Sequence, residues 1–268
     1  MYKKRLSTPY LVWMGIFIIV PLLIVAYFAF TTKDGSFTIS NMAEVAKYSD
    51  SMFQSIWLGI IATVICLIIG YPIGYIIAHS SGVAQRTMVL LIMLPMWMNF
   101  LLRTYAWMTI LETNGIVNTF FSNIGLGKIE LINTPAAVVL GMVYNFLPFM
   151  IMPIYSVMEK IDKPVIEAAQ DLGAGSLQVF TKVLFPLSVP GIISGITMVF
   201  VPAVSTFVIS RLLGGGGMLI GDIIEMQFLG GSYNPQMGSA LALVLMIMVL
   251  LCMAVMNNFD NGEESMLV

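Results

Sequence analysis

Few side chains in this 268-residue sequence could do chemistry, and the most telling of them stand together. Glu167, Ala168, Ala169, Gln170, Asp171, Leu172 and Gly173 form a polar run, followed by Val183, Leu184, Phe185 and Pro186. On a helix Glu167 and Asp171 share one face, where their charges repel unless a partner supplies a cation. Ala168 and Ala169 keep the neighbouring surface low, so a partner's groove can approach closely. This is the chemistry of docking through charge and shape, not of bond making.

The other polar candidates are sparse. Asp222 and Glu225 lie in an apolar-flanked connection, where a carboxylate is costly unless it has a function or a partner. Arg103 falls within an apolar stretch and calls for an acid or carbonyls, such as Glu112 or a group on a partner subunit, in a structural or gating role. The single histidine, His79, ends an apolar segment and reads as an interfacial anchor. Cys66 and Cys252 sit within apolar runs, so neither a disulfide framework nor a metal site is expected. The glycine run 214–217 lacks the Lys-Ser/Thr that a phosphate-binding loop requires. No stretch carries paired acids, a Ser/Lys pattern or a histidine-rich motif, which argues against an intramembrane enzyme.

The elements that position these residues follow from composition. The chain is 59% hydrophobic and 10% charged, with mean hydropathy +0.94, the signature of an integral membrane protein. Its 22 Met and 23 Gly suit closely packed helices in lipid. A net charge of −2 offers no basic surface for nucleic acid. Backbone groups in hydrocarbon must be satisfied within helices, so the expected fold is all-α, a single transmembrane domain over 1–268. Six stretches are long and apolar enough, at about 10–30, 53–78, 87–111, 135–158, 188–210 and 238–256. Lys3, Lys4 and Arg5 before the first stretch raise the alternative of a cleaved signal peptide. Its apolar core is too long for one, and no small-x-small site precedes Lys33.

Orientation follows the Lys and Arg bias. An inside N-terminus places Lys3, Lys4, Arg5, Arg86, Lys160, Lys163 and Lys182 in the cytosol, against Lys33, Lys47, Lys128 and Arg211 outside. Both termini and the 159–187 segment are then cytosolic. The outer segments carry Asp34, Glu44, Asp50, Glu112, Glu130, Asp222 and Glu225, a mildly acidic face that either favours a cationic solute over an anionic one or reflects the scattered acids of ordinary solvated loops.

Within the 159–187 segment, Pro164 fits the first turn of a helix and Asp162 before it can satisfy orphan donors. The helix is expected to run from about 163 to 172 and to end at Gly173 and Gly175. A second helix starts at Ser176 with Leu177, Phe180 and Leu184 on one face, until Pro186 and Pro190 break it. The product is a compact elbow.

The run Glu167 to Gly173 with Pro186 resembles the EAA loop of ABC-importer permeases, with Phe185 where Leu is usual. The resemblance is to the type I, MetI-like, binding-protein-dependent family. Further segments, Gly70-Tyr71-Pro72-Ile73-Gly74-Tyr75, Leu102-Arg103-Thr104-Tyr105-Ala106-Trp107, Leu147-Pro148-Phe149 and Glu159-Lys160-Ile161-Asp162-Lys163-Pro164, are similar to spermidine/putrescine permeases. Leu219-Ile220-Gly221-Asp222 matches the B-type subunit of that pair. The resemblance implies a bacterial inner-membrane permease without cofactor. It implies a heterodimer with a second permease, two cytosolic ATP-binding subunits docked on the EAA loops, and an extracytoplasmic polyamine-binding protein. It also implies that this chain does not itself hydrolyse ATP. Glu167, Ala168, Ala169, Asp171, Gly173 and Pro186 would form the coupling loop. A path for a chain of ammonium groups and methylenes should offer carboxylates and aromatic faces, for which Asp222, Glu225, Trp97, Tyr105, Trp107, Tyr144, Asn99 and Asn145 are the candidates. Sister permeases of the same architecture import ferric iron, sulfate, thiamine or opines, and an autonomous channel is the remaining alternative.

Overall fold

The computed structural model describes residues 8–125, 127–216, 219–231 and 233–264. Lys3, Lys4, Arg5 and Gly217 lie outside the described residues. The described chain is helical, and its only bridge, Thr31 to Phe37, is isolated. Five helices are long and apolar enough to cross a membrane: α1 (Pro9–Ala29), α2 (Ser49–Ala78), α6 (Pro135–Met158), α8 (Ser176–Ser205) and α11 (Pro235–Glu264). A further pair of helices is long and apolar enough only when the two are counted together as one bent element. The stretch expected as one span over 87–111 is divided between α3 (Gly82–Trp97) and α4 (Phe100–Leu111), which bend by 88° at Met98 and Asn99 and lead into α5 (Ile116–Asn123).

Local chemistry explains the break. Pro95 in the last turn of α3 removes a backbone donor, and Met98 and Asn99 are extended, with ψ of 147° and 129°. Asn99 Oδ1 then accepts from the amides of Leu101 at 2.9 Å and Leu102 at 3.4 Å, capping α4. Asn99, a candidate polar group for an interior cavity, thus also starts a helix.

The core is the packing of α2, α6 and α8. Without a hydrophobic effect between helices in lipid, close approach through small residues holds such a centre together. Met150, fully buried on α6, is clasped on both sides by glycine: a Cβ on Gly70 of α2 would lie 3.0 Å from its Cγ, and one on Gly195 of α8 would lie 2.7 Å from its Sδ. Val138, Met142 and Ile154 continue this seam. A second cluster joins the end of α1 to α8, α11 and the short α10 (Ile220–Leu229) through Ala29, Phe200, Val204, Ile220 and Leu241. Elsewhere α1 exposes apolar side chains such as Leu11, Phe17 and Leu23, as a helix facing lipid or another membrane subunit does.

Candidate coupling segment and solute path

Between α6 and α8 the chain forms the elbow. Helix α7 (Lys163–Asp171) begins with Pro164 in its first turn. Asp162 stands at the N-cap position, but its side chain makes no capping bond, contrary to expectation; the Val165 amide bonds its backbone carbonyl instead, at 3.1 Å. The exposed carboxylate contributes only its charge at the helix's positive end. Gly173 closes α7 in the left-handed region at φ +86°. Its amide reaches Gln170 O at 2.8 Å, and Ala174 N reaches Ala169 O at 3.1 Å, a paired closure that requires this backbone geometry. Gly175 does not share that role. Its φ is −69°, and it caps the next helix, donating its N–H to Gln178 Oε1 at 3.0 Å.

Pro186 and Pro190 do not break the second helix, which continues through both into the span. A π-helical turn at Phe180–Leu184 absorbs the missing donor and the steric demand of the Pro186 ring, so one 30-residue element joins elbow to core. Phe185, where Leu is usual, packs its ring 6.1 Å from Tyr71 of α2, and Tyr71 also meets Phe180 edge-on at 5.8 Å. The Tyr71 hydroxyl lies 3.1 Å from Ser188 Oγ. Leu177, Phe180 and Leu184 run from solvent into the core, from 76% exposed to buried. Glu167, Ala168 and Asp171 are exposed, and Leu172, 90% exposed, lies beside them. The elbow thus offers two carboxylates, a low alanine surface and bare apolar tips at one end of a rigid strut.

The path candidates are not gathered in one place. Trp97 and Tyr105 are exposed on either side of the bend. Trp107 and Tyr144 meet edge to face at 5.3 Å, joining α4 to α6. Asn145 is buried in α6, donating to Gly141 O at 2.9 Å while its Oδ1 has no partner. Arg103 is buried, with its guanidinium 5.9 Å from the Phe100 ring centroid and no partner for Nε or Nη1. The pairing with Glu112 does not form, since the Glu112 side chain is exposed and those two nitrogens have no partner among the described residues. His79 is exposed at the end of α2, its ring tilted by 34° against that of Tyr75 at 4.2 Å between centroids.

Asp222 and Glu225 do come together, on α10, but around a residue not singled out beforehand. Arg211, on the short α9 (Val208–Leu213), places Nε 3.2 Å from Asp222 Oδ1 and grips Glu225 with Nη1 at 3.0 Å and with Nη2. The hydrogen bonds it donates to Glu225, reinforced by both acidic charges against the opposing effect of burial, hold the guanidinium protonated above its usual range. Sequence separations of 11 and 14 hide this pairing, because it depends on the turn between α9 and α10. The one cue is the residue type: Arg211 is the single arginine among the outer bases, and arginine can bind two carboxylates at once. Glu225 also lines a groove of about 570 Å³ whose walls include Phe207, Val201, Ile224, Met246 and Val249.

Comparison with known proteins matches this architecture. Residues 70–262 match the family described as binding-protein-dependent transport system inner membrane component. The chain is 37% identical over 248 residues to the spermidine/putrescine transport system permease protein PotB of Escherichia coli (strain K12), covering 88% of this chain and 90% of that one. The Haemophilus influenzae PotB is 38% identical over 250 residues, covering 89% and 87%. A solved bacterial ABC transporter involved in the import of the acidic polysaccharide alginate superposes with TM-score 0.73 at 18% identity, covering 97% of this chain and 95% of that one. The MetNI methionine ABC transporter, in an inward-facing conformation, gives 0.61 at 19% identity, covering 80% and 94%. Matching that family over most of its length and the permease fold over nearly all of it, this chain belongs to the binding-protein-dependent transport system inner membrane components, the multi-pass permeases of ABC importers.

Proposed function

We propose that this chain is one of two permease subunits forming the translocation pathway of an ATP-driven polyamine importer. The observation that carries the solute class is the identity to PotB across almost the whole of both chains. The fold does not choose the solute, because the alginate and methionine importers share it. A second permease completes the pathway, and an extracytoplasmic polyamine-binding protein delivers spermidine or putrescine. Two cytosolic ATP-binding subunits hydrolyse ATP and dock on the elbows, this chain contributing Glu167, Ala168, Ala169, Asp171 and Gly173. Pro186, following the π turn, keeps the elbow continuous with α8, so that closure of the ATPases moves the span itself. Both termini and the elbow then face the cytosol.

On this reading Asp222 and Glu225 meet the cationic solute, Trp97, Tyr105 and Tyr144 offer aromatic faces, Asn145 adds a polar group, and Arg103 acts in gating. The test is competition uptake with the complete importer in proteoliposomes. Labelled spermidine should accumulate with ATP, and unlabelled putrescine should compete while ferric iron, sulfate and thiamine do not. Competition by one of those solutes in place of the polyamines would reassign the cargo. Uptake by the lone chain without ATP would make it a channel.

A further inference from the structure

At the end of the bundle away from the elbow, the two carboxylates and the arginine differ in freedom. Asp222 is fully buried and Glu225 is 17% exposed at its side chain, whereas Arg211 is 43% exposed. The carboxylates sit on α10, whose first turn is pinned to α2 by the Ile220 amide donating to Ser55 Oγ at 2.8 Å. Arg211 sits on the six-residue α9, followed by Gly215 and Gly216 in left-handed conformations. Ile209 and Leu213 anchor α9 in the core, so the backbone of both helices is held, and the half-exposed Arg211 side chain is the member with room to swing.

The groove beside them has the chemistry of a polyamine. Among the described residues Glu225 is the single charged one lining it, Phe207 offers a half-exposed aromatic face, and the remaining walls suit methylenes. We propose that Arg211 is a built-in stand-in for the solute: its guanidinium neutralises Asp222 and Glu225 in this conformation and is exchanged for a solute ammonium entering the groove. This inference rests on the polyamine reading above.

Exchange solves two problems at once. Two carboxylates without a counter-charge would be costly at a site this buried or would trap a polycation, whereas an internal cation balances their charge when no solute is present. A polyamine gains an ammonium contact, an aromatic face and methylene burial, and Arg211 loses its grip only by swinging toward solvent. When Arg211 returns, it expels the solute. Binding is thereby strong enough for entry and weak enough for release, which any pathway needs.

The experiment is equilibrium binding of labelled spermidine to the assembled permease and ATPase complex in nanodiscs, without binding protein, beside ATP-driven uptake by the complete importer. Arg211→Gln removes the competitor and should tighten Kd about threefold to tenfold. Glu225→Gln should weaken it by a similar factor, and Arg211→Gln added to Glu225→Gln should tighten Kd by less than Arg211→Gln does alone, since only the contact with Asp222 is then released. If Arg211→Gln does not assemble, Arg211→Lys, which keeps charge but loses the two-pronged grip, should tighten Kd by a smaller factor. Unchanged or weaker binding in the arginine variants, with wild-type spermidine uptake intact, overturns the exchange and leaves the polyamine reading standing. Absence of wild-type polyamine uptake overturns both.

Discussion

Gln85 donates from Nε2 to Glu159 Oε1 at 2.9 Å, joining two residues 74 positions apart. The same nitrogen lies 3.2 Å from the Tyr155 hydroxyl. Gln85 is in the first turns of α3, and Glu159 follows the last residue of α6, where the elbow segment begins. A displacement of the elbow therefore has a direct polar connection to the bent element, besides the covalent one through α8.

If that connection carries motion, Gln85→Leu should leave ATP hydrolysis near normal while solute transported per ATP falls about twofold to tenfold. Uptake and hydrolysis measured on the same proteoliposomes give the ratio. An unchanged ratio would show that α8 alone conveys the movement.

Gly173 allows a sharper test of the elbow. Its φ of +86° costs a residue with a Cβ about 1–2 kcal/mol, although nothing within 4 Å would clash with that Cβ. Gly173→Val should therefore re-aim α7 without disturbing the core. Uptake should drop about tenfold or more at normal membrane abundance, and Gly173→Asn, which tolerates the left-handed conformation, should recover most of it. Equal losses for Val and Asn would point to missing space at the docking face, not to backbone geometry.

How much of this was legible beforehand differs by region. Five long apolar helices and the elbow were readable because apolar length and Gly173 act locally: α6 over 135–158 and the start of α8 at Ser176 fall where hydropathy and spacing place them. The 88° bend at Met98 and Asn99 was not, because a continuous apolar run over 87–111 hides a break made by Pro95 and an asparagine cap. Continuity through Pro186 was equally hidden, since the π turn that permits it leaves no mark in the residue pattern. The acids Asp222 and Glu225 could be picked out singly, but Arg211 between them could not. Its partners are set by how two short helices fold back, a tertiary relation without a period.

The glycine clasp on Met150 predicts a stability effect with a specific suppressor. Gly195→Val forces bulk to within 2.7 Å of the Met150 sulfur and 3.2 Å of its backbone oxygen. The first contact can yield because methionine is flexible; the second is backbone and cannot. Overpacking of this kind costs about 1–3 kcal/mol, and Met150→Ala should restore only part of it. Thermal unfolding of the purified complex, followed by intrinsic fluorescence, measures both. Full restoration by Met150→Ala would mean that α6 and α8 can separate at this level.

Arg103 gives the last prediction, and its sign depends on whether the guanidinium is paired. Removing one member of a buried ion pair costs about 3–5 kcal/mol, whereas replacing a buried charge that lacks full pairing with an apolar side chain of similar length is close to neutral or stabilising. Nε and Nη1 of Arg103 have no acceptor, and the guanidinium rests against the Phe100 ring. Arg103→Met keeps the packing against that ring and removes the unmet donors. In the assembled importer it should change unfolding stability by less than about 1 kcal/mol, while transport responds if the charge acts in gating. A loss of about 3 kcal/mol or more would instead place an acceptor from the second permease at this guanidinium in the complex.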